Sequence, residues 1–371
     1  MFELTNEQRK CFGLLPVEAH WVRLEPKPGP YDHHTTVAYL EGNVIRKYIA
    51  TGNDRYCEYE LCQPLSEDGK YLLPKTAKGK PVLFTAASLE KRTGIGMCLS
   101  YLRHTTGSSY MDLYSHDTQK CYYSNDCETF CTEGIQDFQQ WVANWCAETT
   151  EDDLADVAAF AAEHRRHIKF REGDVFRFKI NRRLYGYGRI LLDYALMRKK
   201  KEPFWDLLAG KPLACSVYHI ATERADVTVD ELRKLPSLPS GHMMDNKLFY
   251  GEYEIIGNIP IGEHEDYPIM YGNSSDARYR AVMFQCGKIY RSFSDQEAFS
   301  SDYRMGGIGF DLNVKLHILR QCIREGSNAP YWDAQVYNLF NNDLRNPKYR
   351  KDLERVCKQF DIEISQLIKY K

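Results

Sequence analysis

The sequence predicts an α+β protein made of two β-rich domains, joined by a helical segment and followed by a helical C-terminal tail. Short apolar and aromatic runs, separated by Gly and Pro turns, fill the region before residue 124 and return after residue 168. Two stretches with helical apolar spacing lie between them, and another closes the chain. We expect twisted, partly barrel-like antiparallel sheets and domains over residues 1–150, 151–330 and 331–371.

The first domain is expected to begin with a helix and to continue as strands. Thr5 precedes the helical pattern of "NEQRKCFGLL" and fits the N-cap position. The stretch "HTTVAYLEGNVIRKYIA" predicts two strands that turn at Glu41-Gly42-Asn43. Further strands are predicted at "PVLFTAA", "SYMDLYS" and "KCYYS".

Two helices are predicted at the end of the first domain and the start of the second, so we place the boundary near residue 150. In "IQDFQQWVANWCAE" one apolar face is formed by Phe138, Trp141, Val142 and Trp145. In "TTEDDLADVAAFAAEHRRH" acidic residues lie at the start and basic residues lie at the end, and this arrangement complements the helix dipole. The apolar face of this second helix is predicted to contain Leu154, Val157, Ala158 and Ala161.

The second domain is predicted to be mainly strands, with one long helix near its end. Strands are expected at 174–181, 184–193, "ACSVYHIA", "LFYGEYEIIGNIP" and "YRAVMFQCGKIYRSF". Short helices are expected at "EPFWDLLAG" and "VTVDELRKL". The long helix "DLNVKLHILRQCIREG" stops at Gly326, and its apolar stripe is predicted to be Leu312, Leu316, Leu319 and Ile323.

The C-terminal tail is predicted to fold back onto the body of the protein as a capped helix. Asn346 fits the cap position, and Pro347 fits the first helical position. The apolar residues of this helix are Leu353, Val356, Cys357 and Phe360.

Composition and charge exclude several classes of protein. The 371 residues include 43% hydrophobic and 27% charged residues with a net charge of -2, so no overall basic field favours nucleic acid or a membrane. The N-terminus lacks the pattern of a signal peptide, and no apolar run is long enough to span a bilayer. We therefore expect a cytoplasmic protein whose 12 cysteines are mostly free thiols.

No cofactor site is predicted from the glycine-rich stretches. Each Gly-Lys pair lacks the earlier glycine of a phosphate loop, and Gly186-x-Gly188 has Leu191 where a dinucleotide site needs a third glycine. "MGGIGFD" at 305–311 leads into a helix, but Asp311 fits the cap position and its carboxylate would repel an anion. We interpret it as a structural turn.

No catalytic residue is predicted either. "GEHEDYP" at 262–268 has Pro268 where a zinc protease needs its second histidine, and "GNSSD" has Asp276 where a nucleophile elbow needs glycine. The densest Cys/His group lacks a Cys-x-x-Cys pair, and whether it binds a metal stays open at this stage. Its members are His116, Cys121, Cys127 and Cys131.

The stretch "GDVFRFKINRRLYGYGRILL" at 173–192 has the alternation of a β-hairpin. Phe176, Phe178 and Ile180 share one strand face. Gly186 and Gly188 share a face of the second strand, where they leave a shallow groove for a neighbouring ring. We therefore interpret these glycines as packing devices rather than as phosphate binders.

This hairpin resembles the opening of immunity protein 26-type domains from bacterial polymorphic-toxin systems. The pattern is Gly-Asp-Val-Phe, an alternating strand, a turn and then Tyr-Gly-x-Gly-Arg-Ile-Leu, and "YEIIGNIPI" is similar to a later strand of the family. The resemblance covers residues 168 to about 325. The matching hairpin residues are Gly173, Asp174, Val175, Phe176, Tyr185, Gly186, Gly188, Arg189, Ile190 and Leu191.

The resemblance implies a non-enzymatic protein that binds and occludes a cognate protein toxin. Interfaces of this kind use aromatic anchors and charged rims. The candidate contact residues are Tyr185, Tyr187, Arg189, Glu263, Glu265 and Asp266. The oligomeric state of the protein and the identity of the toxin stay open.

Two other functions stay open as alternatives. Some members of the family are labelled phosphotriesterases, so a metal-dependent hydrolase is one alternative, although the chain lacks a His-x-His pair for a binuclear centre. Nucleic-acid binding through the basic clusters 181–183 and 198–201 is the other, and a solvated basic face is the favoured interpretation of those clusters.

Overall fold

The chain folds into two compact units, residues 1–166 and 167–371. This computed structural model describes residues 2–29, 33–105, 107–128, 130, 132–204, 210–263, 265–273, 282–293, 314–334 and 343–367. Mixed helices and antiparallel sheets confirm the predicted α+β class. Within the described ranges the sheets are open, so the expected barrel-like closure is not seen there.

The first unit is built on a seven-stranded antiparallel sheet with the strand order β1-β2-β3-β4-β7-β8-β9. A small second sheet pairs β5 with β6. The strands are β1 (Val22–Leu24), β2 (Thr35–Glu41), β3 (Val44–Thr51), β4 (Arg55–Pro64), β5 (Tyr71–Leu72), β6 (Val82–Leu83), β7 (Ile95–Arg103), β8 (Ser109–Ser115) and β9 (Lys120–Ser124).

Helices contribute to a core on one face of this sheet. They are α1 (Asn6–Cys11), α3 (Ile135–Ala147) and α4 (Glu151–Ala161), and a short helix α2 (Ala86–Leu89) lies in the β6–β7 connection. Phe12, Phe138 and Val157 are buried there with sheet residues such as Tyr56 and Leu99. Thr5 and Thr150 accept hydrogen bonds from the third backbone amide of α1 and α4, which confirms the predicted cap at Thr5.

The second unit contains a five-stranded antiparallel sheet with the order β13-β12-β11-β10-β14. Its strands are β10 (Asp174–Lys179), β11 (Tyr185–Asp193), β12 (Pro212–Val217), β13 (Gly241–Met244) and β14 (Glu254–Asn258). The connections carry α5 (Tyr194–Lys200), α6 (Val229–Leu232) and α7 (Asn246–Phe249).

A three-stranded sheet and the C-terminal tail share another core in the second unit. The strands are β15 (Ile269–Asn273), β16 (Val282–Cys286) and β17 (Ile289–Phe293), and the helices that follow are α8 (Leu316–Glu325), α9 (Ala329–Ala334) and α10 (Arg350–Gln359). Short 3-10 turns flank α10 at Pro347–Tyr349 and Ile364–Gln366. The predicted tail residues Leu353, Val356, Cys357 and Phe360 are all buried against β15 and β16. The predicted Asn346 cap is confirmed.

The compact units differ from the three predicted domains. The helix α4, which we assigned to the second domain, buries Val157 in the core of the first unit. The tail, which we assigned as a separate extension, buries its apolar face in the second unit. Both assignments depended on where apolar faces pack, and a helical period alone does not contain that information.

Several predicted elements are shorter than expected. "PVLFTAA" gives only the two-residue strand β6, because Thr85 caps α2 directly after it. The strand in "LFYGEYEIIGNIP" covers only β14, since Leu248 and Phe249 belong to α7. The long helix begins at Leu316, and its buried positions are Leu316, Leu319 and Cys322 rather than Ile323.

The helix α4 also ends before its predicted basic end. It stops at Ala161, so His164 and His167 lie beyond it, and Ala158 is exposed while Asp153 turns inward. Strands β4 and β7 were not assigned from the sequence. Most of "EPFWDLLAG" and all of "MGGIGFD" lie outside the described residues, as does the end of "GNSSD". Across the described ranges, every helix is too short or too polar to cross a bilayer.

Candidate interaction site

The predicted groove of the β10–β11 hairpin is filled by aromatic rings. The register pairs Phe176 with Gly188 and Phe178 with Gly186. A Cβ added to Gly186 or Gly188 would lie 2.5 Å from the facing ring, closer than van der Waals contact allows. The predicted packing role of these glycines is therefore confirmed, and Tyr253 stacks on the Phe176 ring and lies tilted against the Phe178 ring.

We expect Gly188→Ala to lower the free energy of unfolding of the second unit by about 1–3 kcal/mol through overpacking. The new methyl group would meet both the Phe176 ring and the backbone oxygen of Ser216, at 2.7 Å. Urea titration measures the effect. Gly241 in β13 is the matched control, because no atom lies within 4 Å of its added Cβ, and G241A should remain within about 0.5 kcal/mol of the wild type. Equal losses in both variants would contradict this explanation.

The opposite face of the hairpin holds a connecting segment, residues 222–231, which we call the acidic segment. Tyr187 is fully buried, and its hydroxyl donates to the Arg224 carbonyl at 2.8 Å. Burial raises the pKa of Tyr187. Tyr185 pairs with Thr222 through the backbone, and the Arg177 guanidinium lies over its ring. Arg177 also donates to the carbonyl of Ala225 and to Glu254. The hairpin therefore anchors residues 222–225 of this segment, and Val227 packs in the same core as Tyr187.

The acidic segment directs several carboxylates outward. Glu223 and Asp230 are exposed, and the Asp226 side chain is 81% exposed and pairs with Arg224 at 3.1 Å. Glu231 accepts hydrogen bonds from the Thr228 backbone and hydroxyl and pairs with Arg224, which lowers the pKa of Glu231 to about 2. These carboxylates were not predicted as contact residues from the sequence. The acid-rich stretch "TERADVTVDE" between two predicted strands is the sequence feature that could have indicated an exposed acidic surface.

Arg189 and Glu265 form an internal ion pair. Their side chains are only 12% and 16% exposed, and Glu265 also accepts from the Gly262 amide at 2.7 Å. Tyr218 forms a hydrogen bond with Arg189, and burial is the main cause of the raised pKa of Tyr218. The pair therefore fixes the start of the loop 262–268 to β11.

Asp266 is held from another direction by the tail. Its carboxylate accepts from the Ser240 amide at 2.9 Å and from Arg345 Nη1 at 3.0 Å. The Arg345 side chain is 6% exposed, and its Nη2 also contacts Asp343 Oδ2 at 2.6 Å. The loop 262–268 is therefore fixed at Glu265 and at Asp266, while Glu263 is exposed.

The six predicted contact residues thus have different environments. Tyr187, Arg189 and Glu265 form internal contacts, and Asp266 is half-exposed but bound to the tail. Glu263 is exposed, and Tyr185 is partly exposed. Alternation along a strand indicated which residues share a face, but it could not show that one face is covered by residues 222–231.

The predicted Cys/His group does not assemble as a metal centre in the part of the chain described. Cys131 lies outside the described residues. His116 contacts the rings of Tyr59 and Tyr114, whereas Cys121 donates to the Tyr123 carbonyl at 3.0 Å. Burial lowers the pKa of His116. No set of three or more His, Cys, Asp or Glu side chains with metal-binding geometry occurs among the described residues.

Comparisons with known proteins find a family similarity at the hairpin and its sheet. Neither the curated proteins nor the solved structures contain a match to this chain. A family model does match residues 171–281, a span that begins just before β10 and includes all five strands of the β13-β12-β11-β10-β14 sheet. The predicted resemblance is confirmed over residues 171–281, which match the family described as Immunity protein 26, and its predicted extension to about residue 325 lies beyond this match.

Proposed function

We propose that this protein neutralises a cognate bacterial toxin by binding and occluding it, without catalysis of its own. The observation that carries the proposal is the match of residues 171–281 to the family described as Immunity protein 26. The proposed compartment is the cytoplasm, where an immunity protein meets a toxin that has entered or been made in the cell.

The acidic segment is the contact surface that we propose. It belongs to the matched residues, and its carboxylates Glu223, Asp226 and Asp230 are exposed on a segment that the hairpin fixes at residues 222–225. A fixed segment loses little conformational entropy on binding. Complementary charge also accelerates association with a basic partner, such as a toxin that acts on nucleic acid. Glu263 and the exposed part of Tyr185 are proposed to contribute to the rim, while Tyr187, Arg189 and Glu265 support it from within.

The test is binding and protection by the full chain, using candidate toxins encoded by the genes that neighbour its own. The wild type should bind the purified toxin and restore growth of cells that express it. The triple variant E223K/D226K/D230K should reduce the association rate constant at low salt by roughly tenfold or more, because rim charges act mainly on association. Glu263→Lys tests the second part of the surface separately.

The matched control places the same charge change elsewhere. Glu18, Glu67 and Glu133 are exposed acids of the first unit, and their replacement by lysine should leave binding at the wild-type level. Absence of binding and of protection by the wild type would remove the proposed function. Wild-type binding that all variants retain would remove only the proposed surface.

A further inference from the structure

Two thiols lie close together on the face of the seven-stranded sheet opposite the helices α1, α3 and α4. The Sγ atoms of Cys57 on β4 and Cys98 on β7 are 4.0 Å apart. The strands pair Cys57 with Ser100 and Tyr59 with Cys98, so the two cysteines are diagonal neighbours on one face. Both are free thiols in this structure.

The two thiols differ in their access to solvent. Cys57 is half-buried, whereas Cys98 is fully buried. Burial is the main cause of the strongly raised pKa of Cys98, and the nearby Cys57 acts in the same direction. A small oxidant therefore reaches Cys57 first, and the Cys98 sulfur, 4.0 Å away on the same face, is the neighbouring thiol that can react with an oxidised Cys57.

We propose that Cys57 and Cys98 are a peroxide-sensitive pair that forms a disulfide between β4 and β7. The Cys57 thiolate attacks one oxygen of hydrogen peroxide, the O–O bond breaks, and the released hydroxide leaves as water after taking a proton. Cys57 is then a sulfenic acid. The Cys98 sulfur attacks the Cys57 sulfur, the S–O bond breaks, and a second water leaves with the proton from Cys98.

The electrons and protons of this reaction balance. Two thiols lose two electrons and two protons, and one peroxide is reduced to two waters. The sulfurs must approach from 4.0 Å to a disulfide bond of about 2.05 Å. Because diagonal neighbours lie near the upper limit of Cα separation for a disulfide, the approach requires rotation of the Cys57 side chain together with a shift of the paired strands. The product links two central strands and restrains the unfolded chain between residues 57 and 98.

The test is peptide mapping of the full chain after treatment with hydrogen peroxide, alkylation of the remaining thiols and digestion without reductant. The wild type should give one linked peptide pair that contains Cys57 and Cys98, and dithiothreitol should separate it. Cys57→Ser should abolish the link. Cys121→Ser, at another half-buried cysteine of the same sheet, should retain it.

A second variant distinguishes the proposed order of events from a general loss of fold. In Cys98→Ser the sulfenic acid on Cys57 has no thiol to react with, so a sulfenic-acid probe should label Cys57 more strongly than in the wild type. The proposal is overturned if peroxide converts wild-type Cys57 to sulfinic acid without a link, or links it to a different cysteine. These outcomes do not depend on toxin binding.

Discussion

Lys47→Met is expected to lower the free energy of unfolding of the first unit by about 3–5 kcal/mol, because it breaks a buried ionic network. The Lys47 side chain is fully buried, and its Nζ lies 2.9 Å from Glu58 Oε1 and 3.1 Å from Glu60 Oε1. The same ammonium donates to the Leu15 carbonyl at 2.6 Å. Methionine preserves most of the aliphatic stem, so the loss reports on the charge and its hydrogen bonds rather than on packing.

Glu60 is the carboxylate that this change leaves without a cation. Glu58 keeps Arg9, whose Nε lies 2.6 Å from its carboxylate, and it also accepts from Tyr56. Burial already raises the pKa of Glu60, and Lys47 is the main influence in the opposite direction. The second variant K47M/E60Q should therefore recover part of the lost stability, since a neutral amide can still accept from the Leu15 amide.

The stability loss of Lys47→Met should also depend on pH. Without Lys47, the folded-state pKa of Glu60 rises further above its unfolded value. The resulting penalty is complete above the folded pKa and shrinks as the pH falls through it. The difference from the wild type should thus be smaller near about pH 5 than near about pH 7.

This effect is measured by a urea titration in which unfolding is monitored by hydrogen-exchange mass spectrometry, because the exchange of individual peptides reports on the two units separately. Lys70 forms an exposed pair with Asp68 at 3.5 Å, and Lys70→Met should change stability by less than about 0.5 kcal/mol. A loss in Lys47→Met as small as that of Lys70→Met would contradict the role assigned to the buried network.

Arg345→Met should destabilise the second unit by a similar amount, about 3–5 kcal/mol. Its side chain is 6% exposed and contacts Asp266, Asp343 and both the hydroxyl and the carbonyl of Ser240. Loss of the guanidinium leaves Asp343, 14% exposed, without its cation. Hydrogen exchange should therefore increase in peptides that contain Ser240 and the loop 262–268.

Two further variants test this explanation. Arg345→Lys keeps the charge but loses the planar fork, so its stability should lie between the wild type and Arg345→Met. Arg350 forms an exposed pair with Glu354 on α10, and Arg350→Met should cost less than about 0.5 kcal/mol. If the backbone amides of the loop 262–268 exchanged hydrogen at the wild-type rate in Arg345→Met, the role assigned to Arg345 in fixing Asp266 would be contradicted.

Local features of the fold were predictable from the sequence, since each depends on neighbours along the chain. The β10–β11 hairpin follows from alternation with a period of two, and the caps at Thr5 and Asn346 follow from side chains that bond amides two or three residues away. The family resemblance is carried by the same short hairpin. The groove at Gly186 and Gly188 was predictable for this reason too.

The candidate site was only partly predictable. Tyr185 and Tyr187 were correctly placed on one strand face, but only the folded chain shows that the acidic segment covers that face. Glu265 and Asp266 lie next to each other in the sequence, yet their partners Arg189 and Arg345 are 76 and 79 residues away. No local sequence pattern encodes such pairings, because the sequence does not distinguish a charged loop residue that forms a buried ion pair from one that is exposed to solvent.

The sequence by itself determined many of the strands, the caps at Thr5 and Asn346 and the amphipathic helices, and with them the α+β class and the hairpin that resembles Immunity protein 26, because periodicity and capping are short-range. Tertiary structure alone decided which charges are buried, which carboxylates face outward and which thiols meet. Lys47 and Glu58, Arg345 and Asp266, and Cys57 and Cys98 are each neighbours in space that belong to different elements. Such contacts form only when apolar faces pack and bring distant segments together, so burial and charge environment are properties of the folded chain.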